Sequence, residues 1–406
     1  MNLLAIVKNS VTTNRHFSFD SESRLYWLKI VISLGLISGL LLSLKLWAGA
    51  RFYPLLPVLD ILPPIPNPID WMILLTILSL LTATIFSSKP NRFIWATLAL
   101  VSLLVFLDQT RLQPWVYEYS FILFGLAFFS WNVQDTVERN ALLDSFRIVI
   151  AFHFFWAGIQ KINPVFLLDT FPWMISPIAQ LFPESTTPLF HSFGLLVPFI
   201  EAGIGVGLLT QRFRKKAILA ALLLGVFVLW TIGPFGHNWN SVIWPWNIVV
   251  PLLAVILFAK TPDVSFFEIL QPKNSRMKLA ALVMFGVLPF FSLFNAWDSF
   301  LSFALYSGNL NQASIFMSEN VQARLPEHLR GLVQPDTDGR YFLLVSNWAL
   351  AELNAPPYPE IRTHKRVLRS ICAFADNPLD VTLSMSGRLS WFNRDGRQMF
   401  NCPQLH

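Results

Sequence analysis

Long apolar runs separated by short polar breaks fill the chain as far as residue 297. A helix needs roughly 17 to 25 mostly apolar residues to cross a bilayer. Runs of this kind lie near residues 27–49, 70–87, 92–109, 113–131, 143–162, 191–210, 217–235, 242–259 and 278–296. The pattern predicts an all-α polytopic membrane bundle of about nine transmembrane helices.

The pattern changes after the last of these runs, where turn-forming pairs such as Asp-Gly and Asn-Pro recur. Arg340–Trp348 is apolar enough for a buried strand or helix, and His364–Phe374 is consistent with a helix. Val381–Met385 alternates like a strand, and Ser390–Phe400 is typical of a hairpin around its Asp-Gly pair. These features predict a small α+β domain over residues 298–406.

The composition excludes an ordinary soluble protein. Hydrophobic residues make up 54% and charged residues 13% of the chain, and the mean hydropathy is +0.51. The 15 Trp and 37 Phe fit helices anchored by aromatic belts. No apolar run precedes the first span, so we expect that span to direct insertion itself. The lipid bilayer is therefore the first partner that the sequence implies.

The distribution of Lys and Arg predicts the orientation. With the N-terminus in the cytoplasm, most basic residues of the membrane part fall on the inner side, including the loop Gln211–Lys216. The outer membrane-proximal side then has Lys45, Arg51, Arg111 and Lys161.

We therefore expect a multi-pass protein of bacterial inner-membrane type in three parts. Residues 1–26 are a cytoplasmic segment, 27–297 the transmembrane domain and 298–406 an extracytoplasmic domain, because an odd number of spans places the tail outside. The excess of positive charge is explained by this topology, so it does not imply nucleic-acid binding.

Cys372 and Cys402 are the two cysteines of the chain, and both fall in the tail. In an oxidising outer compartment they are expected to form one disulfide. The alternative is two unpaired small hydrophobic residues, because spacing alone does not fix pairing. The seven His are scattered without ligand spacing, so the sequence predicts no metal site.

Ionisable residues inside the apolar runs are the main candidates for chemistry. Lys161 ends the fifth run, His153 lies two helical turns before it, and Glu201 lies well inside the sixth run. A charge in hydrocarbon is costly unless it reaches water, a partner or a substrate. We expect Glu201 to be neutral, hydrogen-bonded or paired with Lys161 or His153, and we predict these three residues as catalytic.

Polar and aromatic residues near the outer ends of the fourth, fifth and eighth runs are predicted to line the same outward-facing cavity. These candidate substrate-binding residues are Glu118, Tyr119, Trp156, Asn163, Trp244 and Asn247. The apolar segment Val165–Phe190, between the fifth and sixth runs, is too broken to form a spanning helix. It is consistent with an amphipathic or re-entrant lid.

Structural roles for the same residues stay open at this point. Lys161 can snorkel to the head groups from a helix end, and Glu201 can form an interhelical hydrogen bond among its small neighbours. His153 can be a satisfied core residue, and Glu118 can be solvated at the interface. The tryptophans at 239–246 can form an aromatic belt.

The run Phe155–Pro164, with Glu201 ahead of a glycine-rich stretch and a basic loop, resembles the vitamin K-dependent γ-glutamyl carboxylase-like membrane domain, also called the HTTM domain. The likeness covers residues 20 to 300 approximately, as in a distant bacterial-type member. Its most specific piece is the aromatic-Ala-Gly-x-x-Lys-x-Asn pattern that contains Lys161. It implies a multi-span helical bundle with its reaction face and C-terminal part outside the cytoplasm.

In that family the matching lysine is regarded as the base that deprotonates reduced vitamin K, which implies this role for Lys161. The family also has a histidine at the outer start of a preceding span, where this chain has Tyr117–Ser120. A second family histidine lies before Gly233-Pro-Phe, where this chain has Leu229-Trp230. The chain departs from the family at both positions.

Two classes of function follow from these patterns. In the first, the protein acts on a quinone-like, isoprenoid or other lipid-soluble molecule, with Lys161 as base or cation. In the second, it is a non-catalytic scaffold or accessory subunit whose external domain binds an extracytoplasmic protein, and Lys161 and Glu201 pack and anchor helices. Transport has no support from inverted repeats or paired broken helices.

Overall fold

A computed structural model describes residues 19–131, 135–261, 265–272, 275–337, 339–388 and 396–402. Six helices are long and apolar enough to cross a membrane, and a small antiparallel sheet lies near the C-terminus. In this coarse form the predicted helical bundle with a small mixed C-terminal part is confirmed.

The helices before the C-terminal part occupy all the predicted apolar runs. They are α1 (Ser21–Leu42), α2 (Leu44–Trp47), α3 (Ile69–Phe86), α4 (Asn91–Leu107), α5 (Pro114–Phe128), α6 (Thr136–Gln160), α7 (Phe171–Ala179), α8 (Thr187–Ser192), α9 (Val197–Leu209), α10 (Arg214–Thr231), α11 (Trp244–Phe258), α12 (Phe266–Leu270) and α13 (Arg276–Ala281). The last continues as a π-helix over Leu282–Val287 and a 3-10 helix over Leu288–Phe294.

Three predicted runs differ from the six long apolar helices. α4 has 17 residues and ends at Leu107, before Asp108, and α5 has 15 residues, from Pro114 to Phe128. α10 has 18 residues, but it opens with Arg214, Lys215 and Lys216. These three helices are therefore shorter or more charged than an unaided span requires.

α6 is the central helix of the bundle. In its most apolar window 83% of the residues are buried, against 28% in α3. Asp135 caps its start by accepting a hydrogen bond from Val137 N at 2.7 Å, which satisfies an otherwise free helix-end donor. Because α6 carries His153 and Lys161, the candidate chemistry lies inside the bundle.

The C-terminal sheet has five antiparallel strands in the order β2-β3-β1-β4-β5. The strands are β1 (Gln312–Met317), β2 (Gln334–Pro335), β3 (Tyr341–Leu344), β4 (Val381–Ser386) and β5 (Gln398–Asn401). In the central strand, Ile315 lies opposite Leu343 on one side and Leu383 on the other, and all three are fully buried. Their side chains form the apolar face of the sheet.

Helices cover this sheet, and they settle two open interpretations. The helices are α14 (Glu319–Arg324), α15 (Glu327–Arg330), α16 (Val345–Leu353) and α17 (Ile361–Cys372). Arg340–Trp348, predicted as strand or helix, contains the end-to-end junction of β3 and α16. The helix predicted at His364–Phe374 begins earlier and is α17. Of the predicted hairpin at Ser390–Phe400, residues 389–395 lie outside the described residues, whereas β5 pairs with β4.

The C-terminal part packs directly on the helical bundle. Glu352 accepts hydrogen bonds from the backbone N–H groups of Phe52 and Tyr53 and from Trp348 Nε1. The Tyr53 and Trp348 rings lie edge to face with centroids 5.1 Å apart. Asn354 reaches the end of α1 by donating to Leu42 O at 2.7 Å. Polar and apolar contacts thus join the two parts.

Cys372, the last residue of α17, is disulfide-bonded to Cys402 just beyond β5, with an S–S distance of 2.12 Å. The bond ties the edge strand of the sheet to the helix that covers it. The two cysteines are 30 residues apart in the sequence, so the loop that the disulfide closes includes all of β4.

Acid is expected to destabilise the C-terminal part through His364. This side chain is 1% exposed, and burial lowers the pKa of His364 from 6.5 to about 4. Between these values the unfolded chain binds a proton that the folded chain does not, so stability is full above pH 6.5 and falls towards pH 4. The loss approaches about 3 kcal/mol.

Thermal unfolding in detergent at pH 7.5 and pH 5 measures this loss. His364→Gln keeps a donor near Asn311 O, which lies 3.1 Å from His364 Nε2, but it does not titrate. The pH dependence of the variant is expected to be flatter than that of wild type. Parallel curves for both proteins would contradict the assignment. The Glu360 carboxyl has the opposite effect on stability. Burial raises its pKa, so its contribution to stability is present at low pH and is lost as the pH rises.

Candidate functional site

One face of α6 carries the two basic residues of the site. His153, Ala157 and Lys161 are spaced four residues apart, so their side chains lie above one another on the helix. Lys161 is the C-cap residue of α6, and its Nζ donates to Ala157 O at 3.0 Å. The ammonium therefore turns back along the helix instead of extending beyond its end.

Lys161 forms an ion pair with Glu201 of α9. Nζ lies 2.6 Å from Glu201 Oε2, and the two side chains are 9% and 11% exposed. Oε2 accepts no hydrogen bond of good geometry within the described residues, so the contact is a close charge pair with acceptor capacity left over. The sequence predicts Lys161 or His153 as a partner for Glu201, and in the structure Lys161 lies beside it.

Glycines allow α9 to approach α6 closely enough for this pair. A Cβ on Gly158 would lie 2.4 Å from both Pro198 O and Ala202 N, and one on Gly205 would lie 2.4 Å from Ala151 O. Such distances are far below van der Waals contact, so the helix backbones touch at these two points. Small residues bring membrane helices together in this way.

His153 has a different carboxylate partner. Its Nδ1 lies 3.2 Å from both oxygens of Glu118, and Trp246 Nε1 donates to Glu118 Oε2 at 2.7 Å. Glu118 is fully buried and His153 is 8% exposed. The buried carboxylate is thus held by an indole donor and an imidazole, which satisfies the need of a buried charge for partners.

A cavity of about 90 Å³ joins the two pairs. Its polar lining residues are His153, Lys161, Glu201, Asn247 and Tyr306, and its other walls are mostly apolar side chains of α10 and α11. Tyr306 Oη accepts a hydrogen bond from Asn240 Nδ2 at 3.0 Å. The cavity therefore offers a cation, a carboxylate, an imidazole and an amide within apolar walls.

The structure brings some predicted site residues together and separates others. His153, Lys161, Glu201 and Asn247 line the cavity, and Glu118 lies behind His153. The other predicted residues do not line it, and they are Tyr119, Trp156, Asn163 and Trp244.

Most of the residues outside the cavity have structural contacts of their own. Trp156 Nε1 donates to Gly286 O at 3.1 Å, and Trp244 Nε1 donates to Trp239 O at 3.2 Å. Asn163 bridges the end of α6 to the C-terminal part by donating to Ser307 O at 2.8 Å. Tyr119 is 1% exposed and packs against Trp115.

Sequence reasoning missed Trp246 and Tyr306 as site residues. Trp246 was grouped with the aromatic belt, although it lies one position before Asn247 on the same helix turn. Tyr306 follows the last apolar run, in a region assigned to the external domain. No periodic signal marks it, because it lies in a turn with a positive φ of 57°.

The segment predicted as a lid is a chain of short helices. A π-helix at Phe166–Thr170 runs into α7, and a 3-10 turn at Glu184–Thr186 leads to α8. Phe166 and Met174 line the cavity, while Leu168 and Leu181 are each 70% exposed. One side of the segment thus covers the cavity, and the other presents apolar side chains outward.

Within the described residues there is no group of three or more His, Cys, Asp or Glu side chains that could hold a metal ion. Comparisons of the chain with protein-family models, with curated proteins and with solved structures found no match. The candidate chemistry therefore rests on the geometry of the cavity.

Proposed function

We propose that this chain is a multi-pass membrane protein of carboxylase-like type that binds the polar end of a lipid-soluble, quinone-like molecule and moves a proton to or from it. The nine apolar helices would cross the membrane, with the cavity and residues 298–406 on the extracytoplasmic side. The observation that carries the proposal is the Lys161–Glu201 ion pair, whose 2.6 Å contact borders the cavity.

A charged pair in such a place has a cost that function can explain. Two charges removed from water lose more hydration energy than their mutual attraction returns, unless further hydrogen bonds satisfy their remaining donors and acceptors. Among the described residues, Lys161 is the one partner of the Glu201 carboxylate, whose side chain is 11% exposed. A hydroxyl of a bound molecule would supply a further donor to this carboxylate, and Lys161 would stabilise the negative charge that remains when the proton leaves.

The two pairs suggest distinct roles. Glu201 accepts the proton of an acidic hydroxyl, and Lys161 is the cation beside the resulting oxyanion. His153, oriented by Glu118 at 3.2 Å, can pass a proton along the same cavity. In the carboxylase-like class the lysine is the base, whereas the close carboxylate here supports a shared task for the pair.

The size of the cavity limits what enters it. About 90 Å³ holds several water molecules or a small polar ring, but not a complete isoprenoid lipid. The tail would therefore lie among the apolar side chains of the covering segment and α10. Phe227 of α10 belongs to the apolar cluster of Phe166, Phe171 and Ile175 that borders this route.

Mass spectrometry of lipids and quinones retained after gentle purification tests the proposal. Wild type is expected to retain one isoprenoid or related amphiphile that the double variant Lys161→Met/Glu201→Gln loses. The double variant removes both charges together, so no unpaired charge stays buried.

The matched control is Lys278→Met, because Lys278 is also a buried lysine, with Nζ 3.2 Å from Asp144 Oδ2, and it does not line the cavity. Asp144 keeps Arg147 as a partner in that variant, at 2.7 Å. Only bulk phospholipid in all three proteins would contradict the proposal and favour the scaffold function.

A further inference from the structure

A second cavity, of about 380 Å³, lies where the loop after α2 meets the start of α3 and the end of α4. It shares no lining residue with the cavity of Lys161. Its walls include Lys45, Arg51 and Arg111 but one acidic residue, Asp70. Its volume falls in the range of sites for small ligands, about 300–1,000 Å³.

Two of these cations share a single carboxylate. Arg51 Nη2 lies 2.6 Å and Arg111 Nε 3.7 Å from Asp108 Oδ2. Asp108 is fully buried beside these two guanidinium groups. Burial lowers the pKa of Arg111 to about 10, so the guanidinium is still charged at neutral pH.

The remaining carboxylate is already occupied. Asp70 accepts hydrogen bonds from Gly49 N at 2.7 Å and Trp71 N at 2.8 Å. Lys45 is exposed and forms no ion pair with the part of the chain that the structure describes. The residues that line the cavity are three cations and one carboxylate, so the lining carries an excess of positive charge. Asp108 and Glu352, which contact Arg51 and the backbone of Phe52 and Tyr53, do not line it.

Two buried donors at this cavity have no acceptor among the described residues. They are Nε of Arg51, whose side chain is 5% exposed, and the hydroxyl of Tyr53, which is 1% exposed. Burial raises the pKa of Tyr53 well above its usual value, so its hydroxyl stays protonated. An unmet buried donor is costly, and a ligand oxygen within reach of a small side-chain shift relieves that cost.

The cavity lies at a boundary between polar and apolar surface. On α3, Ile69 and Met72 are 48% and 63% exposed, and in the loop Phe52 and Ile61 are 59% and 87% exposed. Exposed apolar side chains beside a cationic cavity are the arrangement expected at the depth of lipid head groups.

We propose that this cavity binds an anionic phosphate group, presented by the head group of a membrane phospholipid or by a free phosphate. Lys45 supplies the solvent-facing charge, and Arg51 and Tyr53 supply the unmet donors. Arginine and lysine near a membrane surface bind anionic head groups in this manner.

Native mass spectrometry in an equal mixture of phosphatidylglycerol and phosphatidylcholine tests the proposal. Wild type is expected to retain phosphatidylglycerol preferentially. Lys45→Ala is expected to lower that preference about fivefold, the effect of one basic residue at a membrane surface. Ala50→Trp fills the cavity from an exposed lining position without a change of charge, and it is expected to lower the preference as well.

Lys89→Ala is the control, because Lys89 is an exposed lysine in the loop between α3 and α4, at the opposite ends of these helices. Titration with inorganic phosphate separates the two sources: displacement of the lipid by phosphate identifies a free-phosphate site, and retention of the lipid identifies a head-group site. The proposal is overturned when Lys45→Ala and Ala50→Trp both keep the wild-type preference, or when Lys89→Ala loses as much as they do.

Discussion

Replacing Glu201 with Gln is expected to lower the free energy of unfolding by about 3–5 kcal/mol. The change leaves the ammonium of Lys161 buried without its carboxylate, which lies 2.6 Å away in the native protein. Gln has nearly the same shape as Glu, so packing against α6 is preserved and the loss reports the missing charge. Thermal unfolding or denaturant titration in detergent measures it.

The double variant Lys161→Met/Glu201→Gln is expected to recover most of this loss, because neither charge then needs a partner. A cycle of the wild type, the two single variants and the double variant isolates the interaction between the side chains. Glu184→Gln is the control, since Glu184 is exposed on the covering segment, and its effect is expected within about 0.5 kcal/mol of zero. Equal effects of Glu201→Gln and Glu184→Gln would show that the pair contributes nothing to stability.

Combined with ligand retention, this cycle separates the two classes of function. If the pair only anchors helices, the single variants are less stable than wild type, and the double variant retains the same molecules as wild type. If the pair also binds a molecule, the double variant no longer retains that molecule, even though its stability is close to that of wild type. The two measurements therefore move independently.

The apolar runs predicted where helices lie, because hydrophobic length is a local property of the sequence. The same property could not show that α4 ends at Leu107. α4 ends at the buried carboxylate of Asp108, which is paired with Arg51 of another loop. The nine crossings and their direction stay predictions.

The candidate site was predictable only in part. A buried glutamate has few partners in an apolar bundle, so Lys161 was one of two named for Glu201. The contact of Glu118 with His153 joins α5 to α6 across 35 residues of sequence, and only helix packing brings it about. β1 was missed as well, because Gln312–Met317 has weak alternation and gains its burial from strands on both sides.

Replacing Gly158 with Ala is expected to lower the free energy of unfolding by about 3 kcal/mol or more, at or above the upper end for overpacking. The added Cβ would lie 2.4 Å from Pro198 O and Ala202 N. Both are backbone atoms of α9, so no side-chain rotation relieves the clash and the helices must separate. Separation also draws Glu201 away from Lys161, so the substitution is expected to abolish retention of the proposed ligand.

Gly203→Ala is the matched control on α9, because a Cβ there meets nothing within 4 Å. Alanine also favours the helix over glycine by about 1 kcal/mol, so this variant is expected to be as stable as wild type or more stable. Gly205→Ala, with its Cβ 2.4 Å from Ala151 O, is expected to act like Gly158→Ala. If both contact glycines tolerated alanine as well as Gly203 does, α6 and α9 would lie farther apart than the ion pair requires, and the site built on their contact would be wrong.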